Sequence, residues 1–210
     1  MASLTLYTNP MSRGRIARWM LEETGVPYET VVLEYGTTMK APEYLAINPM
    51  GKVPTLRHGD VVVTEGAAIC AYLADAFPAA GLAPPPGSAE RGAFYRWLFF
   101  GAGPVEAAVT NASMNVPDTP ELRGRVGYGS LGRVLDTLQW LLADREYILG
   151  DRFSAVDVYL GSQIGWGLVF GTMEERPGFR PYWERIAARP AAVRARQADD
   201  ALMAARGGGG

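Results

Sequence analysis

NPMGKVPTL, residues 48–56, sets Pro54 among the strand-forming residues Val53, Thr55 and Leu56. A proline has no N–H to give a ladder, so it belongs at a sheet edge, at a bulge, or in a cis peptide that turns the preceding backbone groups elsewhere. Downstream, VPTL (53–56), the turn RHGD (57–60) and VVVT (61–64) read as a β-hairpin. EGAAICAYLADAF (65–77) then reads as a helix that buries Ile69, Tyr72 and Leu73. Upstream, LTLYT (4–8) reads as a strand. SRGRIARWMLEETG (12–25) reads as a helix with Ile16, Trp19 and Met20 on one face and Gly25 just past its end. VPYETVVL (26–33) closes a βαβ unit, so the first part of the chain is βαβ followed by ββα.

AAGLAPPPGS, residues 79–88, can neither continue a helix nor enter a central strand, and divides the chain. The expected organisation is a domain over 1–78, a linker over 79–88, an all-helical domain over 89–206 and a flexible glycine tail over 207–210. The helices expected beyond the linker are AERGAFYRWLFF (89–100), GRVLDTLQWLLAD (132–144), SAVDVYLGSQIGWGLVF (154–170), PYWERIAARP (181–190) and a final alanine-rich segment. In the third of these Ser154 is the N-cap, Asp157 reaches back to it, and Phe153 offers a hydrophobic staple.

Composition excludes several functions. The 210 residues are 48% hydrophobic, ample for a core, and 20 basic against 22 acidic side chains give a net charge of −2. That balance carries no footprint for nucleic acid or an anionic membrane. The one cysteine, Cys70, forbids an intrachain disulfide and a cysteine-rich metal site and fits a reducing compartment, so a cytoplasmic location is expected. One histidine, His58, gives no metal site and no Ser-His-Asp triad, and its turn suggests a solvated side chain. Cys70 lies within an apolar pattern and reads as a buried structural thiol.

The βαβ-ββα order, Val-Pro opening the third strand, and TEGAAICAYL (64–73) after it resemble the thioredoxin-like half of the glutathione transferases. The helical half beyond the proline-rich linker resembles the rest of that family, in its bacterial, cytosolic, serine-type form. The resemblance implies that Pro54 follows a cis peptide and that the N–H and C=O of Val53 bind the cysteinyl backbone of glutathione, as an added strand would. It implies that Glu65 faces the γ-glutamyl ammonium and the Gly66 N–H its carboxylate, at a helix N-terminus suited to an anion. The family usually has serine where Gly66 stands, so this chain lacks one hydroxyl donor there. Lys40 and Lys52 match positions that grip the glycyl carboxylate.

A thiol with a pKa near 8.5 is a poor nucleophile at neutral pH, so the protein must stabilise the thiolate. In YTNPMSRGR, Ser12 matches the family's activating serine; an alternative alignment makes Tyr7 the donor with Arg13 as cationic helper. A serine cannot form the mixed disulfide that a cysteine there would, so conjugation of glutathione with a hydrophobic electrophile is the expected reaction. Met11, Asn111 and Trp166 are the expected contacts of that electrophile. Glutathione is then a cosubstrate, no metal is needed, and the family implies a homodimer with Met50 at its interface. Two other readings remain open: a non-catalytic interaction module of the same fold, and a glutathione-dependent isomerase, peroxidase or dehalogenase.

Overall fold

The computed structural model describes residues 3–207. Contacts divide them into two compact units, one running through Ala80 and resumed from Ala188, the other spanning Gly81–Ala187. Residues from Ala188 onward thus cluster with the first unit, whereas the sequence placed them in the helical domain.

The first unit is built on strands β1 (Leu4–Thr8), β2 (Glu29–Val32), β3 (Thr55–His58) and β4 (Val61–Thr64), in the order β2-β1-β3-β4. β1 runs parallel to β2 and antiparallel to β3, and β3 runs antiparallel to β4. Helix α1 (Gly14–Thr24) links β1 to β2, the four-residue α2 (Pro42–Leu45) precedes β3, and α3 (Gly66–Ala76) follows β4. This is the βαβ-ββα order expected. Because β3 is central, Pro54 stands at the entry of an inner strand, not on an edge, and the Val53–Pro54 peptide is cis.

Alternation along β1 sends Leu4, Leu6 and Thr8 to the buried side. There Leu6 joins Ile16, Met20, Leu21, Leu56, Ile69 and Leu73, all essentially inaccessible. Tyr7, on the other face, packs with Val53 and Ile47 against a second cluster of Leu33, Met39 and Tyr44. α1 ends where expected, at Gly25 with φ 69°, a conformation that favours glycine. It begins at Gly14, so Ser12 and Arg13 form the turn ahead of it. Cys70 is buried as expected, and burial pushes its thiol far up. His58 departs from expectation. It closes β3, pairs through Nδ1 with the Tyr72 hydroxyl at 2.9 Å and stacks on Phe77, so it is not a solvated loop residue.

The second unit contains α4 (Glu90–Phe100), α5 (Glu106–Ser113), α6 (Pro120–Arg125), α7 (Leu131–Leu142), α8 (Ala155–Phe170) and α9 (Phe179–Ala187). α4 passes into α5 through a wider turn over Gly101–Val105. Pro104 there has no N–H for the regular ladder, which accounts for the irregularity. Ser154 caps α8 in a capping box with Asp157, as read from the sequence. The Asp157 carboxylate also accepts from the Ile148 N–H at 2.8 Å and the Tyr182 hydroxyl at 2.9 Å, tying three segments to one group. α5 and α6 had no counterpart in the sequence reading.

The final helix, α10 (Pro190–Gly207), belongs to the first unit and lies along α1. Arginine–carboxylate pairs hold it. Arg18 meets Asp199 at 2.9 Å with both side chains buried, Arg189 meets Glu23 at 2.7 Å and Arg194 meets Glu22 at 2.9 Å. Arg206 pairs with Glu34. The glycine tail expected over 207–210 begins at the last residue of α10, and its remaining three residues lie outside the described part of the chain.

Candidate active site

Register brings the scattered motifs together. Tyr7 lies opposite Thr55, and Thr55 opposite Thr64, so the end of β1, the start of β3 and the end of β4 share one row of the sheet. The next residues along each strand emerge at that same end: Asn9–Ser12 after β1, Val53–Pro54 before β3, and Glu65–Gly66 after β4. Residues more than fifty positions apart thus meet at one sheet end.

Ser12 is half-buried in a tight turn. Its hydroxyl donates to the Asn9 carbonyl at 2.6 Å and accepts from the Gly14 N–H at 2.9 Å, the first residue of α1. The Ser12 N–H donates to the same Asn9 carbonyl at 3.0 Å. Asn9 is buried: its Oδ1 accepts from the Met11 N–H at 3.0 Å, while its Nδ2 donates to the Leu33 carbonyl at 2.7 Å. Gly14 admits no larger residue without movement, since a Cβ there would lie 1.9 Å from Thr8 Oγ1. Tyr7 sits with its ring 5.6 Å from that of Tyr44, in the second cluster. Arg13 is exposed immediately before α1.

The segment before β3 repeats the design of the Ser12 turn. Asn48 is buried, its Oδ1 accepts from the Met50 N–H at 3.1 Å, and its Nδ2 donates to the Lys52 carbonyl at 2.9 Å. That amide also donates to Thr55 Oγ1 at 3.0 Å, and the Tyr44 hydroxyl contacts the Lys52 carbonyl at 2.5 Å and Thr55 Oγ1 at 2.8 Å. One proton arrangement satisfies all of them: Tyr44 and Asn48 donate to the Lys52 carbonyl, and Thr55 accepts from Asn48 and donates to Tyr44. Burial raises the Tyr44 hydroxyl above its ordinary range, which keeps it a donor. This network fixes Lys52 next to Val53, whose own N–H and C=O precede the first ladder pair at Thr55. Tyr44, Asn48 and Thr55 were not singled out in the sequence. The repeated Asn-Pro-Met was the available signal, visible as a turn but not as a buried anchor.

Lys40 does not project from the surface alone. Its ammonium donates to the carbonyls of Met50 at 3.2 Å and Gly51 at 2.8 Å, which ties the stretch after β2 to the loop before β3. Lys52 is exposed. Glu65 caps α3 with φ 65° and ψ 120°, a backbone that a non-glycine residue adopts at a cost of about 1–3 kcal/mol. Its carboxylate side chain is exposed, and Gly66 begins the helix. Of the expected electrophile contacts, Met11 is 71% exposed beside Ser12. Asn111 lies in α5 with its amide donating to the Tyr128 hydroxyl at 2.8 Å, and Trp166 is half-buried in α8. Met50 is 68% exposed. Among the described residues no cluster of histidine, cysteine or acidic side chains is arranged to hold a metal, and no helix is long and apolar enough to cross a membrane.

A four-stranded mixed sheet of this order, with a cis-proline at the entry of an inner strand and a helical unit beyond, defines a thioredoxin-like protein with an appended all-helical half. Residues 2–75 match the family described as glutathione S-transferase, N-terminal domain. The chain is 32% identical to glutathione S-transferase GstA of Escherichia coli O157:H7, over 96% of this chain and 98% of that one. Among solved structures it is similar to a glutathione transferase from Methylococcus capsulatus, with TM-score 0.78 and 33% identity over 94% of this chain and 98% of that one. It is also similar to a sphingomonad glutathione S-transferase complexed with glutathione, with TM-score 0.75 and 30% identity over 93% and 98% of the two chains. The protein belongs to the glutathione S-transferase family.

Proposed function

We propose that this enzyme binds glutathione at the end of the sheet where Ser12, Val53–Pro54 and Glu65–Gly66 converge, and transfers its thiolate to a hydrophobic electrophile. That convergence carries the reading. The backbone N–H and C=O of Val53, outside the ladder, receive the cysteinyl portion as a short added strand. The α3 N-terminus, with the Gly66 N–H, receives the γ-glutamyl carboxylate, and the exposed Glu65 carboxylate receives the ammonium. Lys52 and Lys40 face the glycyl carboxylate, Lys40 from a position set by two carbonyls.

Ser12 activates the thiol. Its hydroxyl proton now points to the Asn9 carbonyl, which keeps a second donor in the Ser12 N–H. Rotating the hydroxyl toward a bound sulfur therefore leaves no carbonyl unpaired. It exchanges a neutral hydrogen bond worth about 1 kcal/mol for one to an anion, worth about 1.5–3 kcal/mol. The Gly14 N–H holds the oxygen in place during that rotation, and the start of α1 adds its positive end to the same site. Tyr7 is the alternative donor, with Arg13 as its cationic helper, but its ring is committed to the second apolar cluster. Met11, exposed beside Ser12, is the contact we propose for the electrophile in the first unit. We place the protein in the cytoplasm as a homodimer, with Met50 at the interface.

The test is the ultraviolet difference absorbance of bound glutathione against pH for the wild type, Ser12→Ala and Tyr7→Phe. The wild type is expected to titrate well below about 8.5, Ser12→Ala to return the thiol to that value, and Tyr7→Phe to leave it low. A wild type that shows no thiolate at saturating glutathione refutes thiol activation. A thiol that loses activation in Tyr7→Phe alone transfers the role to Tyr7.

A further inference from the structure

We propose that Asp200, on the C-terminal helix, is a positioning residue for the Ser12 turn and acts through Arg15. The proposal rests on the assignment of Ser12 above. Arg15 Nε donates to the Pro10 carbonyl at 2.6 Å, while its Nη2 reaches Asp200 Oδ1 at 2.7 Å and Met203 Sδ at 3.0 Å. One guanidinium therefore spans from α10 to the turn that carries Ser12.

The Pro10 carbonyl and the Met11 N–H belong to the same peptide plane. Arg15 grips the oxygen end, and Asn9 Oδ1 accepts from the nitrogen end at 3.0 Å. The following N–H, of Ser12, donates to the Asn9 carbonyl. A planar unit held at both ends cannot rotate, so the Ser12 backbone inherits its orientation. Releasing the oxygen end frees that plane and lets the hydroxyl sample directions away from the sulfur.

A long arginine side chain has several rotamers, and the one observed aims Nε at Pro10 while Nη2 points at α10. Asp200 selects that one. The carboxylate is itself well placed, because its neighbour Asp199 is fully buried against Arg18 and clamps this turn of α10 to α1. The Asp200 side chain is 57% exposed, so its ion pair adds little to folding stability. Positioning and stability are therefore separable by experiment.

The experiment compares the wild type with Asp200→Asn, Asp200→Glu and Arg15→Lys in thermal midpoint, bound-thiol titration, kcat and KM for glutathione. Asp200→Asn is expected to keep the thermal midpoint within about two degrees and to raise the bound thiol pKa by about half a unit. At a pH well below the bound pKa that is a threefold loss of thiolate, read there as a similar loss in kcat with KM little changed. Asp200→Glu restores the wild-type titration. Arg15→Lys, whose ammonium cannot span both partners, reproduces the Asp200→Asn effect and serves should that variant fold poorly. An unchanged thiol titration in Asp200→Asn and Arg15→Lys overturns the proposal, as does a loss of thermal stability without a titration shift. If the wild type itself shows no thiolate, the Ser12 assignment has failed and this proposal falls with it; a normal wild type beside silent Asp200→Asn and Arg15→Lys variants removes this proposal alone.

Discussion

Gly14→Ala isolates the packing on which the Ser12 turn depends. At most helix starts the change is harmless or helpful, since alanine is favoured over glycine in helices by up to about 1 kcal/mol. Here the added methyl carbon would stand 1.9 Å from Thr8 Oγ1, 3.0 Å from Thr8 Cβ and 3.0 Å from Ser12 Oγ. Thr8 is fully buried, so it cannot swing into solvent, and overpacking of this kind costs about 1–3 kcal/mol. Set against the helix gain, the net expectation is a destabilisation of about 1–2 kcal/mol. Urea denaturation should show it as a lower midpoint with an unchanged slope. Thr8→Ala supplies the control: it removes the oxygen that makes the 1.9 Å collision, a hydroxyl with no hydrogen-bond partner of its own. The double variant should recover about 1 kcal/mol relative to the sum of the single changes. It should also bring the bound-thiol titration, displaced in Gly14→Ala by the crowding of Ser12, back toward the wild type. A Gly14→Ala protein as stable as the wild type, or a double variant with purely additive effects, would refute the steric argument.

Glu65→Gly relieves the positive φ at the α3 cap and should stabilise the fold by about 1 kcal/mol, while removal of the carboxylate weakens glutathione binding; melts and calorimetric titration should move in opposite senses. Tyr44→Phe leaves the Thr55 hydroxyl without its acceptor and takes one donor from the Lys52 carbonyl. A loss of about 1–3 kcal/mol in denaturant and a higher KM for glutathione are expected, with kcat nearly constant. Burial raises the Asp157 carboxyl from 3.8 to about 6 against the pull of its hydrogen-bond donors. Between those values the folded state holds a proton that the unfolded state has lost, so stability contributed by this group is full below about pH 4. It falls as pH rises to about 6, by something on the order of 3 kcal/mol. Subtracting the profile of Asp157→Asn from that of the wild type should expose this slope, and a flat difference curve would contradict it.

The strands and long helices were legible because their signals are local. Alternation in LTLYT, the turn at Gly59–Asp60 within RHGD and the face Ile16–Trp19–Met20 each need only a few neighbouring residues to declare themselves. The Val53–Pro54 junction and the α8 capping box were legible for the same reason. What the sequence concealed depends on residues far apart. α10 was assigned to the helical half on continuity, but its partners are Glu22, Glu23, Glu34, Arg15 and Arg18, about 170 positions away. No periodicity in an alanine-rich helix announces such pairing. His58 was misread for the same reason, since its turn context gave no sign of Tyr72 and Phe77.

The twin Asn-Pro-Met turns show how a loop can hold catalytic groups without a ladder. Each site segment leaves regular structure, so the backbone must be fixed by side chains or left to move. In both turns a buried asparagine accepts from the N–H two residues on and donates to a carbonyl, at Leu33 in one case and Lys52 in the other. Only an amide can serve both ends. Aspartate would repel the carbonyl, and leucine of similar size would strand two backbone groups in the core. The proline after each asparagine fixes φ and removes an N–H that would otherwise need a partner, and the methionine beyond it is left exposed. The same three residues thus set a rigid turn whose tip is apolar and solvent-facing, once next to the hydroxyl proposed to activate the thiol and once next to the backbone proposed to bind the peptide. The chemistry proposed for Ser12 and Val53 therefore depends on Asn9 and Asn48, whose amides are committed to neighbouring protein groups.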